Sequence, residues 1–228
     1  MSEILNLKKR GSLIVISGPS GCGKGTVLAE YLKDNRDHTW YSISCTSREM
    51  RPGDEEGVNY YFLSRKEFEE MIKNDEFLEY AEYNGNYYGT PKEHIEDRLA
   101  SGIDVILEIE VQGALKVKEL VPEAICIFIM PPSMKELRNR LVGRKTESKE
   151  KVLGRFKEAY KEINEVTKYN YVVTNDDVEN AVLKIKAILI SEKCRVDRIE
   201  EVYLGNQEEE IHELLIDDKI FVNEDIKI

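Results

Sequence analysis

The sequence predicts an α/β fold of three layers, in which a parallel sheet carries helices on both faces. Four short runs are apolar along nearly their whole length, at 13–16, 105–109, 125–130 and 171–173. Strands of this kind are buried on both faces, which is typical of parallel sheets. Helical segments alternate with these runs, and that order of elements also favours a parallel sheet.

A glycine-rich loop follows the first run and leads into a helical segment at 27–32. The backbone of such a loop can turn its N–H groups onto phosphate oxygens, and the helix N-terminus adds partial positive charge. Lys24 is placed to reach the outer phosphates, so the pattern predicts a nucleoside triphosphate site in which Lys24 is catalytic. The loop residues expected to line this site are Gly18, Pro19, Ser20, Gly21, Cys22, Gly23, Lys24, Gly25 and Thr26.

Gly25 departs from the usual phosphate-loop pattern, which has a metal-binding hydroxyl at that position. Thr26 supplies a hydroxyl one residue later. We therefore expect Mg²⁺ to be held largely by phosphates and water. Cys22 could be a thiol activated by the helix N-terminus, but a small residue filling a tight loop is the simpler interpretation.

Composition places the chain among folded proteins without a membrane span. Of 228 residues, 41% are apolar and 34% charged, and the formal charge of −11 argues against a nucleic-acid partner. No apolar run approaches the roughly 20 residues that cross a bilayer, and no apolar segment follows the charged N-terminus. The four cysteines lack paired or metal-like spacing, which favours reduced thiols. We expect a cytoplasmic protein with no membrane partner.

The chain divides into a core, an insertion and an extension. We expect the core to be formed by residues 1–39 and 92–193. It includes a helix at 134–141 after Ser133 and a final amphipathic helix at 178–193. Residues 40–91 hold seven of the twelve tyrosines among arginines and carboxylates, and we interpret them as an inserted substrate lobe. Residues 194–228 form an acidic extension whose role does not follow from the sequence.

Two motifs in the insertion suit a phosphorylated substrate. In 44–53, SCTSREMRPG, two arginines lie three residues apart beside several hydroxyls, which suits capture of a phosphate. In residues 77–90, the sequence brings the carboxylate of Glu79, the adjacent phenols of Tyr87 and Tyr88 and the hydroxyl of Thr90 toward one turn. Most tyrosines here, including Tyr41, are expected to pack in the core with the hydroxyl at the surface.

Taken together, the glycine-rich loop, 44–53, GNYYG at 85–89 and LEIEVQG at 107–113 resemble the guanylate kinase family over about residues 11–193. The resemblance implies phosphoryl transfer from ATP to GMP or dGMP, with Mg²⁺. It implies that the GMP phosphate is held by Arg48, Arg51, Tyr60 and Tyr88, with Arg48 also catalytic. It implies that guanine is read by Ser44, Glu79, Thr90 and Glu110.

Guanine chemistry agrees with those readers. Guanine presents O6 as an acceptor and its N1–H and 2-amino group as donors, so a hydroxyl can donate to the first and a carboxylate can accept from the others. A buried site of this kind rejects the wrong base by about 10⁴-fold or more. Asp54, Glu108 and Glu110 each differ by one methylene from the acid commoner in the family. Glu108 is expected to reach Mg²⁺ through water.

An arginine-rich stretch resembles the family's mobile lid, at about 138–157. Arg144 and Arg155 are expected to act on the transferring phosphoryl group and Arg140 to contact ATP, while a solvated helix face is the alternative. By resemblance, Asn175 lies at the adenine end, with a helix N-cap or turn as the alternative. Without ligand, we expect the Arg144 region and the GMP lobe to be open, because their cations repel.

Two other functions stay open at this point. A guanylate-kinase-like module that binds phosphorylated proteins without catalysis would be expected to lack the phosphate loop, which is intact here. An enzyme acting on another phosphorylated acceptor, such as a ribose bisphosphate, would be expected to lack the joint set of Ser44, Glu79 and Thr90. No protein partner follows from the sequence.

Overall fold

The structure, a computed structural model, describes residues 5–7, 10–83, 85–142 and 149–202. Within these residues the strands are β1 (Leu5–Leu7), β2 (Leu13–Ser17), β3 (Thr39–Ser42), β4 (Cys45–Thr46), β5 (Tyr61–Phe62), β6 (Phe77–Tyr83), β7 (Asn86–Pro91), β8 (Asp104–Glu108), β9 (Ile125–Met130), β10 (Tyr171–Thr174) and β11 (Ile199–Val202). The helices are α1 (Lys24–Lys33), α2 (Arg65–Lys73), α3 (Ile95–Ala100), α4 (Val111–Leu120), α5 (Met134–Val142), α6 (Lys149–Asn164) and α7 (Val178–Lys193). Among these described helices, none is long and apolar enough to cross a membrane.

The chain separates into two units, which are residues 9–189 and residues 1–8 with 190–228. In the second unit, β1 and β11 form an antiparallel pair, with Leu5 opposite Val202 and Leu7 opposite Ile199. Every predicted site residue belongs to the first unit.

A five-stranded parallel sheet, in the order β10-β9-β2-β8-β3, forms the core of the first unit. All four predicted strands are confirmed within one or two residues at their ends. The fifth strand, β3, is not predicted by the sequence, because its TWYS run mixes polar and apolar residues. It lies at the edge of the sheet and its two middle residues are only half-buried, so it needs no continuous apolar run.

Apolar side chains on the two faces of the sheet build two separate cores. Ile14 and Ile16 of β2 face one core with α1 and α7, while Leu13 and Val15 face the other with α3 and α4. Successive residues of a strand point to opposite faces, so a strand that is buried throughout must be covered by helices on both sides. The predicted three-layer α/β class is confirmed.

A second, four-stranded sheet in the order β5-β4-β7-β6 lies within residues 45–91 of the expected lobe, whereas residues 40–42, also expected there, belong to β3 of the core sheet. Its small core is aromatic: the Phe68 ring of α2 stacks on Phe77, with 4.3 Å between centroids, and on Tyr87. Ser64 caps α2 through a reciprocal pair of hydrogen bonds with Glu67, which fixes where the helix begins.

Helices α5 and α6 pack against each other around Leu137, Leu141 and Ala159. The hydroxyl of Ser133 accepts from the N–H of Glu136, so the predicted start of α5 is confirmed. Residues 143–148, which include Arg144, lie outside the described residues.

We predict opposite effects of the same glycine-to-alanine change at two sites. A Cβ on Gly11 would lie 2.0 Å from the carbonyl oxygen of Ile103, whereas one on Gly154, within α6, would meet nothing within 4 Å. Gly11→Ala should lower the free energy of unfolding by about 1–3 kcal/mol or more through overpacking. Gly154→Ala should raise it by up to about 1 kcal/mol because alanine favours the helix. Urea unfolding of both variants checks this, and a stable Gly11→Ala protein contradicts it.

Candidate active site

The glycine-rich loop connects the end of β2 to α1 at the carboxyl edge of the parallel sheet. Its backbone requires glycine at two places. Gly18 has φ +145° and a Cβ there would lie 2.3 Å from the carbonyl oxygen of Ile129, while Gly23 has φ +94° where α1 begins. The loop therefore packs against the neighbouring strand β9 and still turns into the helix, as a phosphate cradle requires.

Lys24 is buried among carboxylates at the first turn of α1. Its Nζ donates to the Gly18 carbonyl oxygen at 2.6 Å and lies 4.0 Å from Oε2 of Glu110. Burial lowers the pKa of Lys24, but Glu110, Glu108 and Glu162 outweigh burial, and the net pKa is above the ordinary lysine value. The ammonium group is therefore charged and held where phosphates would enter.

Helix α6 brings two charged groups of opposite sign to the glycine-rich loop. Nη2 of Arg155 donates to Oγ of Ser20 at 2.8 Å, and the backbone N–H of Ser20 donates to Oε2 of Glu162 at 3.4 Å. Arg155, which is predicted to act on the transferring phosphoryl group, therefore lies at the glycine-rich loop. Arg155 and Glu162 thus bring opposite charges to the same residue of the loop.

Glu162 was missed by the sequence analysis. It is nearly buried, and burial, with a contribution from Glu110, raises its pKa to about 7 against the opposing pull of Lys24 and the Ser20 N–H. A signal was present in the sequence, because Glu162 lies seven residues after Arg155 on an amphipathic helix. Residues seven apart share one helix face, so a face that presents Arg155 to the loop presents Glu162 as well.

Asn175 and Arg140 close the far side of the loop. Nδ2 of Asn175 donates to the Cys22 carbonyl at 2.8 Å, and Arg140 donates to the carbonyls of Cys22 and Asn175, both at 3.2 Å. Beside them is an open cavity of about 300 Å³, lined by Gly23, Thr26, Arg140, Asn175, Asp176, Asp177 and Val178. The alternative that Asn175 caps the helix is wrong, since the cap of α7 is Asp177, whose Oδ1 accepts from Asn180 N.

Glu108 faces the position where Gly25 lacks a side chain. A Cβ on Gly25 would lie 3.8 Å from both carboxylate oxygens of Glu108, and the hydroxyl of Tyr41 donates to Oε2 of Glu108 at 3.0 Å. Burial raises the pKa of Glu108, while Lys24 and Tyr41 oppose that shift. The expectation that Tyr41 only packs, with its hydroxyl at the surface, was wrong, because that hydroxyl orients a carboxylate of the site.

In the lobe, an aromatic cluster and a carboxylate fix Arg48. Its Nη1 lies 2.9 Å from Oδ2 of Asp54, and its guanidinium carbon is 5.5 Å from the centroid of the Tyr60 ring. Tyr60 in turn meets Tyr88 edge to face, with 5.8 Å between centroids. The N–H of Arg51 donates to the same Asp54 oxygen, and this bond together with Arg48 lowers the Asp54 pKa. Arg48, Tyr60 and Tyr88 are thus brought together as predicted, whereas the Arg51 side chain is exposed.

Glu79 lies buried on β6 and is held by Thr90 of the neighbouring strand β7. The Thr90 hydroxyl donates to Oε1 of Glu79 at 2.8 Å, and Glu79 is only 6% exposed. Burial raises the pKa of Glu79, and Thr90 and Lys116 oppose the shift. Ser44 lies directly before β4 with a half-buried side chain, and its carbonyl accepts from Tyr61 N at 2.9 Å.

Comparisons with known proteins agree with this arrangement. A family model described as guanylate kinase matches residues 10–192. A guanylate kinase of Clostridium tetani is 56% identical over 92% of this chain and the whole of that protein, and one of Clostridium perfringens is 54% identical over 95% of this chain and the whole of that protein. The crystal structure of guanylate kinase from Anaplasma phagocytophilum has a TM-score of 0.73 at 34% identity, covering 95% of this chain and 98% of the other.

The fold and the loop define the class of protein: a P-loop nucleotide-binding α/β protein, with the loop at the carboxyl edge of a parallel sheet covered on both faces. The chain belongs to the guanylate kinase family. The relatives at 54–56% identity align over at least 92% of the chain, so their similarity extends past residue 193, where we expected the resemblance to end.

We predict that Glu162→Gln stabilises the protein more at alkaline than at acidic pH. With a folded pKa of about 7 and an ordinary value of 4.5, Glu162 binds more protons in the folded state between those pH values. Its ionisation therefore costs stability as pH rises through that window, and glutamine removes the cost. The stability gain over the original protein should widen by about 1–2 kcal/mol between pH 5.5 and pH 8.

Urea unfolding at several pH values measures this difference. Glu119→Gln, at an exposed glutamate on α4, is the control for loss of one negative charge. A stability difference that is the same at both pH values would contradict a raised pKa at Glu162.

Proposed function

We propose that this protein is a guanylate kinase, which transfers the γ-phosphoryl group of ATP to GMP or dGMP and releases ADP and GDP or dGDP. The observation that carries the acceptor assignment is the buried carboxylate of Glu79, fixed by Thr90 in a lobe that also presents Arg48. A buried carboxylate disfavours a base that offers it an acceptor, as adenine does, and favours one that offers two donors.

The roles of the two hydroxyls differ in this proposal. The Thr90 hydroxyl donates its hydrogen bond to Glu79, so Thr90 positions the carboxylate for the guanine N1–H and 2-amino group. Ser44 is the hydroxyl left to donate to O6. Glu110, which lies 4.0 Å from Lys24, is assigned with Glu79 to the guanine side of the site.

The acceptor phosphate is assigned to Arg48, Arg51, Tyr60 and Tyr88. Asp54 and the aromatic rings hold the Arg48 guanidinium in one place, which reduces the entropy lost on binding. A preorganised cation also needs little rearrangement when charge develops on the transferring group.

The triphosphate is assigned to the glycine-rich loop, with Lys24, Arg155 and Arg144 as the cations near the transferring group. Phosphoryl transfer requires alignment and charge neutralisation more than covalent help from the protein. We assign the cavity beside Gly23, Asn175 and Arg140 to the adenosine part of ATP. The hydrogen bonds of Asn175 and Arg140 to the Cys22 carbonyl hold the loop in shape beside it.

The residues present fit a magnesium ion held mainly by its substrate. Glu108 places a carboxylate opposite Gly25, and the described residues contain no cluster of three metal-binding side chains. Mg²⁺ commonly keeps waters and phosphate ligands with only one or two carboxylates. When bound, it would neutralise phosphate charge, with Glu108 as its carboxylate through water and Tyr41 orienting Glu108.

We also infer a cytoplasmic location. All four cysteines are free thiols, and Cys22, Cys45 and Cys126 are buried. Free thiols are the usual state in a reducing compartment. The proposed substrates are small molecules, and neither a nucleic acid nor a membrane is part of this proposal.

The test is an assay of ADP release from Mg-ATP with GMP, dGMP, AMP, UMP or ribose 1,5-bisphosphate as acceptor. We expect turnover with GMP and dGMP, and AMP weaker by about 10⁴-fold or more in kcat/KM. Lys24→Ala should lower kcat by at least about 100-fold, because it removes a cation from the transferring phosphates. Lys186→Ala, an exchange on α7 outside these assigned roles, is the matched control.

Two other results of this assay would change the proposed function. Turnover with ribose 1,5-bisphosphate alone would replace the acceptor assignment. GMP binding without any turnover would favour a module that binds phosphorylated partners.

We predict that Tyr41→Phe raises the Mg²⁺ concentration needed for half-maximal activity by about 3- to 10-fold. This is less than the roughly 10-fold or more of a hydrogen bond lost directly to a charged group, because Glu108 would reach the ion only through water. KM for GMP should stay within about 2-fold. Tyr61→Phe, which changes an exposed tyrosine of the lobe, is the control. An unchanged magnesium requirement in Tyr41→Phe would remove Tyr41 from this role.

A further inference from the structure

Gly113 lies in the first turn of α4, at the place where this helix contacts β6. A Cβ built on Gly113 would lie 2.5 Å from Oε2 and 3.0 Å from Cδ of Glu79. Real Cβ atoms do not come within 3.0 Å of a neighbouring heavy atom. The carboxylate of Glu79 therefore occupies the space that any side chain at 113 would need.

Glu79 is fixed on its other side, so it cannot yield without losing contacts. Oε1 accepts from the Thr90 hydroxyl at 2.8 Å, and the residue is only 6% exposed. Lys116, one turn further along α4, adds a favourable charge, and its Nζ donates to the carbonyl of Tyr80 at 2.5 Å. The first turn of a helix also favours a nearby anion.

We propose that Gly113 is a specificity-determining residue: its missing side chain lets the Glu79 carboxylate lie against α4 in the orientation that reads the guanine N1–H and 2-amino group. Gly113 acts through Glu79 and is therefore a positioning residue. The inference rests on the proposed function, in which Glu79 reads guanine.

A methyl group at 113 forces the carboxylate to move, because the helix backbone on the other side is rigid. A displacement of about 1 Å in a positioned group is enough to cost up to about 100-fold in activity. Only the flexible end of one side chain has to shift, so the fold itself should tolerate the change. The consequence is a loss of base recognition in a folded protein.

The test is Gly113→Ala, measured with GMP and with IMP, which lacks only the 2-amino group. We expect KM for GMP to rise about 10- to 100-fold, the range of a lost hydrogen bond to a charged group. The preference for GMP over IMP should fall, while KM for ATP stays within about 2-fold. Glu119→Gln, on the exposed end of the same helix, is the kinetic control, and Gly154→Ala is the stability control.

A double-mutant cycle with Glu79→Asp separates positioning from general damage. Aspartate is one methylene shorter, so in that background alanine at 113 has room and should change KM for GMP by less than about 2-fold. If Gly113→Ala alone fails to fold, recovery of folding by Glu79→Asp supports the contact, and no recovery overturns the proposal.

Two further outcomes overturn it. One is an unchanged KM and base preference in Gly113→Ala, and the other is an equal rise in KM for ATP and GMP. These outcomes are distinct from a failure of the proposed function. The proposed function fails only if the original protein, without any substitution, shows no turnover with GMP.

Discussion

Charge balance around the buried ammonium group of Lys24 is the constraint on which the site depends. A lysine removed from water would lose its proton unless anions surrounded it. Glu110, Glu108 and Glu162 supply them: the first two lie where β8 ends and α4 is about to begin, and the third lies on α6. Carboxylates thus keep the ammonium group of Lys24 charged at the glycine-rich loop.

A second pair of charged groups, Arg155 and Glu162, meets the glycine-rich loop at one residue. Arg155 and Glu162 both contact Ser20, one through the hydroxyl and the other through the backbone N–H. In the proposed function, phosphates bound at the loop would add negative charge beside Glu162 and disfavour its ionised form further. A carboxyl group whose pKa is near neutrality can take up a proton at little cost, whereas an ordinary glutamate would resist the phosphates.

Sequence alone predicts the central sheet and the glycine-rich loop because both follow local rules. Strands buried on two faces must be apolar throughout, and a phosphate cradle needs glycines before a lysine and a helix. Strand β3 is not predicted because it lies at the edge of the sheet, where its middle residues Trp40 and Tyr41 are only half-buried and the strand needs no continuous apolar run. The role of Tyr41 is set by a contact 67 residues away in sequence, which no local pattern encodes. Glu162 also acts through a distant contact, 142 residues away, and its only local signal is that it shares a helix face with Arg155.

Helix α4 connects the two halves of the proposed site. Glu110, directly before this helix, lies 4.0 Å from Lys24, and Gly113, three residues later, lies against Glu79 of the lobe. In the proposed function, one turn of a rigid helix therefore relates the position of the carboxylate that would read guanine to that of the lysine that would bind the triphosphate. Binding energy from the base can then be used to align the acceptor phosphate with the donor, which is how remote contacts of a substrate raise the rate of its reaction. A lobe joined to the core only by flexible loops could bind guanine equally well, but it would transmit no such alignment.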